Sequence, residues 1–191
     1  MTDLRRKLRK QRKRVSRFEQ RQSEQKIIYL LSHYPNFNSS KHIGIYLDAF
    51  GEIYTKKLIE YAFSKGKKVY LPKICNMNKH LVWIPITRHQ YRNKRFAHHP
   101  LGMKEPMATR GMSATKLDLV IMPLLACDYL GTRIGMGGGF YDRTLSRAFK
   151  YPHRVGLAHS FQFTHEKLKR EKWDKPLDAL IIPTKLLRFK R

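Results

Sequence analysis

The chain lacks any apolar run near the roughly 18–20 residues that a membrane-spanning helix requires, so no membrane partner is expected. Cysteine is scarce: Cys75 and Cys127 stand far apart and form no CxxC pair, which argues against a disulfide scaffold. Acid is scarce too, with 14 Asp and Glu against 40 Lys and Arg. The opening MTDLRRKLRKQRKR has neither the apolar stretch nor the small-residue cleavage site of a secretory signal. An Arg-rich, acid-poor start also suits a mitochondrial transit peptide, but the cysteines read as reduced and make the cytoplasm the expected location. Neither GxGxxG nor GxxxxGKS/T occurs, which excludes a dinucleotide fingerprint and a P-loop. Repeats, low-complexity tracts and obvious linkers are missing as well.

What is present is a chain of 191 residues, 41% hydrophobic, which suits one sizeable α/β domain better than two. The net charge of +26 predicts attraction to polyanions: nucleic acid, anionic lipid, or phosphorylated and polycarboxylate small molecules. Composition does not choose among them, and most of the basic residues read as a solvated surface.

Residues 3–32 contain no Gly or Pro and predict one long helical segment, with Leu4, Leu8, Val15 and Phe18 at helical spacing and an apolar end from Ile27 to Leu31. Arg5 and Arg9 lie one turn apart on the same face and could grip one anion together. HIGIYL (42–47) reads as a buried strand, Thr55 as the N-cap of helix KKLIEYAFSK, and KKVYLP (67–72) as a second strand. That βαβ unit implies parallel pairing. LVWIPI (81–86) is a third strand, and 87–115 reads mostly as loop. LDLVIMP (117–123) is the strongest buried strand; a helix around 140–150, RVGLAHS (154–160) and LDALIIPT (177–184) follow. Alternating strands and helices predict three α/β/α layers around a mostly parallel sheet.

In such folds ligands sit beyond the carboxyl ends of the strands. RIGMGGGFYDR (133–143) follows LDLVIMP and then enters a helix. Its glycines let backbone N–H groups approach an anion, the helix start adds partial positive charge, and Arg133 offers a guanidinium fork. Asp142 supplies an oxygen suited to Mg²⁺. The residues alone leave two readings open, a phosphate cradle and a strained structural turn.

GTRIGMGGGFYDRTL resembles the signature of the 5-formyltetrahydrofolate cyclo-ligase family, also called 5,10-methenyltetrahydrofolate synthetases. The matching residues are Pro123, Ala126-Cys127-Asp128, Gly131, Arg133, Gly135, Gly137, Gly139, Phe140, Tyr141 and Asp142. RRKLRKQRKR resembles the family's basic first helix, the segment from Ile43 to Ile74 its first βαβ unit, and LGMKEP its Gly-x-x-Glu-Pro turn. VGLAHSFQ and WDKPLDALII resemble its two carboxyl-terminal segments. The chain departs from the pattern at Leu124, Cys127, Met136, Phe140 and His159.

The resemblance implies a single domain over 1–191, with a NagB/RpiA/CoA-transferase-like α/β/α fold. It implies conversion of 5-formyltetrahydrofolate and ATP, with Mg²⁺, to 5,10-methenyltetrahydrofolate, ADP and phosphate, through a phosphorylated formyl group. Arg5, Arg6, Lys7, Leu8 and Arg9 would bind ATP, together with Arg133, Ile134, Gly135, Met136, Gly137, Gly138, Gly139, Phe140 and Tyr141. Leu47, Glu52 and residues Met136 to Phe140 would border the folate. Arg133 and Glu52 would be catalytic, and Asp142 with Asp174 would hold Mg²⁺. The bland alternatives are a helix-start acid for Asp142, a turn residue for Asp174 and a first-turn acid for Glu52. Trp83 and Tyr91 are aromatic candidates for the pterin but fit the core equally well. Part of the charge would serve capture of anionic folate, polyglutamylated folate above all. A monomer is favoured, and non-specific attraction to nucleic acid is compatible with the charge. The competing readings are a basic nucleic-acid-binding protein on an α/β scaffold and another ATP-dependent ligase on the same fold.

Overall fold

A computed structural model describes residues 2–75, 77–108, 110–146, 148 and 150–190. The helices are α1 (Thr2–Lys13), α2 (Arg17–Ser32), α3 (Pro35–Ser39), α4 (Lys56–Ser64), α5 (Arg88–Arg92) and α6 (Phe140–Leu145). Among the described residues seven strands form the main sheet: β1 (His42–Ile45), β2 (Lys68–Ile74), β3 (Leu81–Ile86), β6 (Leu119–Pro123), β9 (His153–Leu157), β11 (Ala179–Ile182) and β12 (Lys185–Arg188). Two short ribbons are added. β4 (Phe96–His98) pairs with β5 (Lys104–Pro106), and β7 (Ala126–Asp128) lies between β8 (Arg133–Ile134) and β10 (Phe163–Thr164).

The main sheet runs in the order β12-β11-β9-β6-β1-β2-β3. Its five inner strands are parallel, and both edge strands are antiparallel to their neighbours. Parallel strands covered on both faces need apolar residues at every position, and β6 meets this with Leu119, Val120, Ile121 and Met122 all buried. Successive side chains point to opposite faces. Leu119 and Ile121 therefore join Ile43, Ile45, Ala179 and Ile181 in one core, under α2 and α4. Val120 and Met122 join Trp83, Leu145 and Leu180 in the other. Trp83 and Tyr91 thus belong to packing: Trp83 is fully buried, and Tyr91 packs edge-on to Phe96 against the first core.

The single helix expected over 3–32 is two helices. Arg14 and Val15 leave the helix, and Ser16 starts α2 with a capping box, its hydroxyl accepting from the Glu19 N–H while Glu19 accepts from the Ser16 N–H. A Ser-x-x-Glu box satisfies donors that a continuous helix would satisfy internally, so the chain can turn there at little cost. Thr55 stands at the N-cap of α4 as expected, but its side chain makes no capping bond; its hydroxyl donates to the Tyr46 carbonyl instead. The segment 87–115 holds α5, β4, β5 and a 3₁₀ turn as well as loop, Thr109 lying outside the described residues. The helix expected around 140–150 ends at Leu145, and Arg147 and Phe149 lie outside the described residues. β12 is a short edge strand, exposed at Lys185 and Arg188 and half-buried at Leu186 and Leu187, and has no counterpart in the sequence reading.

Candidate active site

β1 and β6 lie side by side, but the chain leaves β1 toward β2 on one side and β6 toward β9 on the other. A crevice opens beyond their carboxyl ends wherever connections diverge in this way. A cavity of about 980 Å³ occupies that place. Leu47 and Glu52 enter it from the β1 end, Pro123 and Leu124 from the β6 end, and the Gly-rich loop forms the opposite wall. Asp128 aims that loop. Its fully buried carboxylate accepts from the N–H groups of Leu130, Thr132 and Leu168, fixing the β7–β8 hairpin that feeds Arg133 into the cleft.

One end of the cleft is cationic. Leu4 and Leu8 of α1 pack against Leu125 and Ile134, which turns the basic face of the helix toward the loop. Arg5 Nε donates to the Gly135 carbonyl at 3.2 Å, and Arg9 Nη2 donates to the Met136 carbonyl at 2.6 Å. Arg133 is buried and pairs through Nη2 with Asp142 Oδ1, while its buried Nε finds no partner among the described residues. Gly137 has φ 106°, and a side chain there would meet nothing within 4 Å, so the loop backbone faces open space. L-residues avoid that conformation, and glycine adopts it freely.

The turn after β1 brings a buried carboxylate to the cleft. Glu52 is 8% exposed and accepts from the Ala49 N–H at 3.1 Å; the Arg12 guanidinium stands 3.7 Å away. Burial raises its pKa to about 7, against the opposing pull of Arg12 and the Ala49 N–H. Glu52 precedes α4 (Lys56–Ser64) and faces the cleft, so it is not a first-turn acid.

The expected residues divide accordingly. Arg5, Arg9, Leu47, Glu52, Arg133 to Asp142 and Asp174 all line the cleft. Arg6 pairs with Asp3 and borders a neighbouring depression, Lys7 is exposed and lines neither cavity, and Leu8 is buried as the anchor of α1. Sequence reasoning missed Phe50 and Trp173, half-exposed and exposed aromatics of the rim. It also missed Glu105, whose Oε2 is buried without a partner among the described residues and which lines the cleft. The LGMKEP turn was the available signal for Glu105. Arg12, buried beside Glu52, was passed over among ten basic residues in the first 21. His159 is buried and donates from Nε2 to the Gly51 carbonyl at 3.1 Å, which gives that departure from the family pattern a structural place.

The donors available to a cation are oxygens. Asp142 Oδ1 accepts from Arg133 and from the Lys175 N–H, which leaves Oδ2 available. Asp174 Oδ2 closes a turn with the Glu171 N–H, leaving its Oδ1. No cluster of three His, Cys, Asp or Glu suited to a metal occurs among the described residues. Two carboxylates fit a hard ion that keeps water and phosphate oxygens, as Mg²⁺ does, and fit Zn²⁺ poorly.

A family model described as the 5-formyltetrahydrofolate cyclo-ligase family matches residues 1–183. The chain is 33% identical over 183 residues to the 5-formyltetrahydrofolate cyclo-ligase of Escherichia coli K12, covering 94% of this chain and 98% of that one. It is 34% identical over 186 residues to the Haemophilus influenzae protein of the same name, covering 94% and 95%. The structure is similar to Aquifex aeolicus 5,10-methenyltetrahydrofolate synthetase, with TM-score 0.83 and 29% identity over 100% of this chain and 93% of that one.

Proposed function

The chain belongs to the 5-formyltetrahydrofolate cyclo-ligase family, and from that premise we propose how its cleft divides the reaction between its two ends. The activity is the ATP-dependent closure of 5-formyltetrahydrofolate to 5,10-methenyltetrahydrofolate. The observation that carries the division is one cavity lined both by arginines along the Gly-rich loop and by a desolvated carboxylate on the turn after β1.

The phosphates of ATP lie along the Gly-rich loop, against Arg5, Arg9 and Arg133. The unpartnered Arg133 Nε supports this, because a buried guanidinium donor without an acceptor is costly and a phosphate oxygen supplies one. Asp142 and Asp174 hold Mg²⁺, which when bound neutralises charge on the phosphate oxygens. Glu52 accepts hydrogen bonds from the ring N–H donors of the pterin, and Leu47 packs beside it. The formyl oxygen attacks the γ-phosphorus, and ADP leaves. N10 then attacks the activated carbon and loses its proton, and the C–O bond breaks to release phosphate. Positioning and charge stabilisation suffice for this, since the covalent work belongs to the substrates.

Polyglutamylated folate is the preferred form, because a net charge of +26 attracts a polycarboxylate tail. The protein acts as a single domain over 1–191, as a monomer, and in the cytoplasm, where its free Cys75 and Cys127 stay reduced. Incubation with 5-formyltetrahydrofolate and MgATP, followed by the absorbance of the methenyl product, tests the activity. Product that requires all three components is expected, and no product from folded protein would overturn the reading.

A further inference from the structure

Arg12 has no place in the reaction as described, yet it is among the largest fully buried side chains of the molecule and carries a charge. Three walls of the cleft share it. Nε donates to the Phe50 carbonyl at 3.1 Å, Nη1 to the Leu124 carbonyl at 3.2 Å, and Nη2 to the Met136 sulfur at 3.6 Å. These partners belong to the turn after β1, the end of β6 and the Gly-rich loop. With Arg5 and Arg9 it forms a row at i, i+4 and i+7 on one face of α1.

The turn it holds resists its own geometry. Phe50 has φ 51°, a left-handed conformation that residues with a side chain rarely adopt. Such backbone persists only where several contacts fix it. Gln20 and His159 both donate to the Gly51 carbonyl, the Glu52 N–H donates to the Ala49 carbonyl, and Arg12 holds the Phe50 carbonyl. A side-chain carbon on Gly51 would lie 2.6 Å from the Arg12 carbonyl oxygen, so helix and turn are in close contact.

We propose that Arg12 is a positioning residue for Glu52: it fixes the turn that carries the carboxylate and keeps one cation beside it, linking α1 to the folate end of the cleft. The proposal rests on the functional reading that Glu52 faces the folate. Around Glu52, the β1 end presents Tyr46 and Asp48, α6 presents Tyr141, and α1 presents Arg12, with Arg9 behind it. Arg12 is the cation among these that favours the charged carboxylate, and the others are acidic groups or lie further off.

The test compares Arg12→Gln and Arg12→Lys with the unaltered protein. It reads the pH dependence of kcat/KM for 5-formyltetrahydrofolate at saturating MgATP, and the ¹³C titration of the Glu52 carboxyl, assigned with Glu52→Gln. Loss of the cation in Arg12→Gln is expected to move both midpoints up by about one unit. Activity near neutral pH then falls about tenfold below that of Arg12→Lys and recovers on the alkaline side only to the level of Arg12→Lys. Arg12→Lys keeps a charge but not the fork, so the midpoint is expected to stay near its original place while kcat/KM falls about tenfold at every pH. Equal losses at all pH values in Arg12→Gln, with an unmoved carboxyl titration, would overturn the proposal and leave Arg12 a packing residue. Should Arg12→Gln not fold, unchanged kcat/KM in Arg12→Lys would overturn it. If the unaltered protein forms no methenyl product, the functional reading falls by itself, and the carboxyl titration alone then decides whether Arg12 governs Glu52.

Discussion

Arg133 and Arg12 each meet a carboxylate at the cleft, but the two pairs are built differently. Arg133 donates directly to Asp142, which also accepts the Lys175 N–H, so the carboxylate has two donors on one oxygen. Arg12 has spent its hydrogen bonds on Phe50, Leu124 and Met136, and it reaches Glu52 only at 3.7 Å. Glu52 is left with the Ala49 N–H and little solvent, and its pKa rises to about 7. For Glu52, burial outweighs the nearby guanidinium and the single N–H donor that oppose it.

The first pair is the one to break for the largest effect. Arg133→Ala should lower MgATP turnover by about 100-fold or more, the range seen when one charge-stabilising donor is lost from a reaction centre. Asp142→Asn should reduce turnover comparably while keeping an acceptor for Arg133 and Lys175, so its melting temperature should change little. Steady-state kinetics and a thermal melt on the same samples check both, and undiminished turnover in Asp142→Asn would remove it from the metal site.

The second pair should give a smaller effect that depends on pH. An unfolded Glu titrates near its ordinary 4.5 and the folded one at about 7, so the folded state holds the extra proton between those values. Stability is therefore undiminished below 4.5 and is lost as pH rises toward 7. Glu52→Gln removes that loss. It should be more stable than the unaltered protein at pH 8 by on the order of 3 kcal/mol, and nearly equal to it at pH 4.5. Its activity should drop even as its melting temperature rises. Denaturant titrations at the two pH values check this, and an equal difference at both would contradict the buried carboxylate.

Two milder substitutions bracket the pairs. Gly137→Ala forces a side chain into a left-handed position at a cost of about 1–2 kcal/mol, which should appear as about tenfold in kcat/KM for ATP. Ser16→Ala removes a helix cap outside both pairs, worth about 1 kcal/mol, and should lower the melting temperature by about 2–4 °C with the kinetics unchanged.

The fold was legible where burial is two-sided. Leu119 to Met122 are apolar at every position because both faces of β6 are covered, and the βαβ unit before it announced a parallel pair. β12 was not legible, because KLLR is only four residues long, with charged exposed ends and two leucines that pack on opposite faces of the sheet. The division at Ser16 was written in Ser16 and Glu19, but the longer apolar periodicity masked it. Of the two pairs, Arg133 and Asp142 stand nine residues apart inside one motif, and the family resemblance pointed to both. Arg12 finds its partners 38, 112 and 124 residues away, so nothing in its neighbourhood distinguishes it from the basic residues around it.

The molecule also carries two tryptophans in opposite circumstances. Trp83 is fully buried in the core behind the sheet, and Trp173 is 67% exposed on the rim of the cleft. Their emission should therefore separate by colour and by access to acrylamide. The red, quenchable component from Trp173 reports a ligand entering the cleft, and the blue, protected component from Trp83 reports loss of the core. One fluorescence titration can thus tell a variant that no longer binds from one that no longer folds.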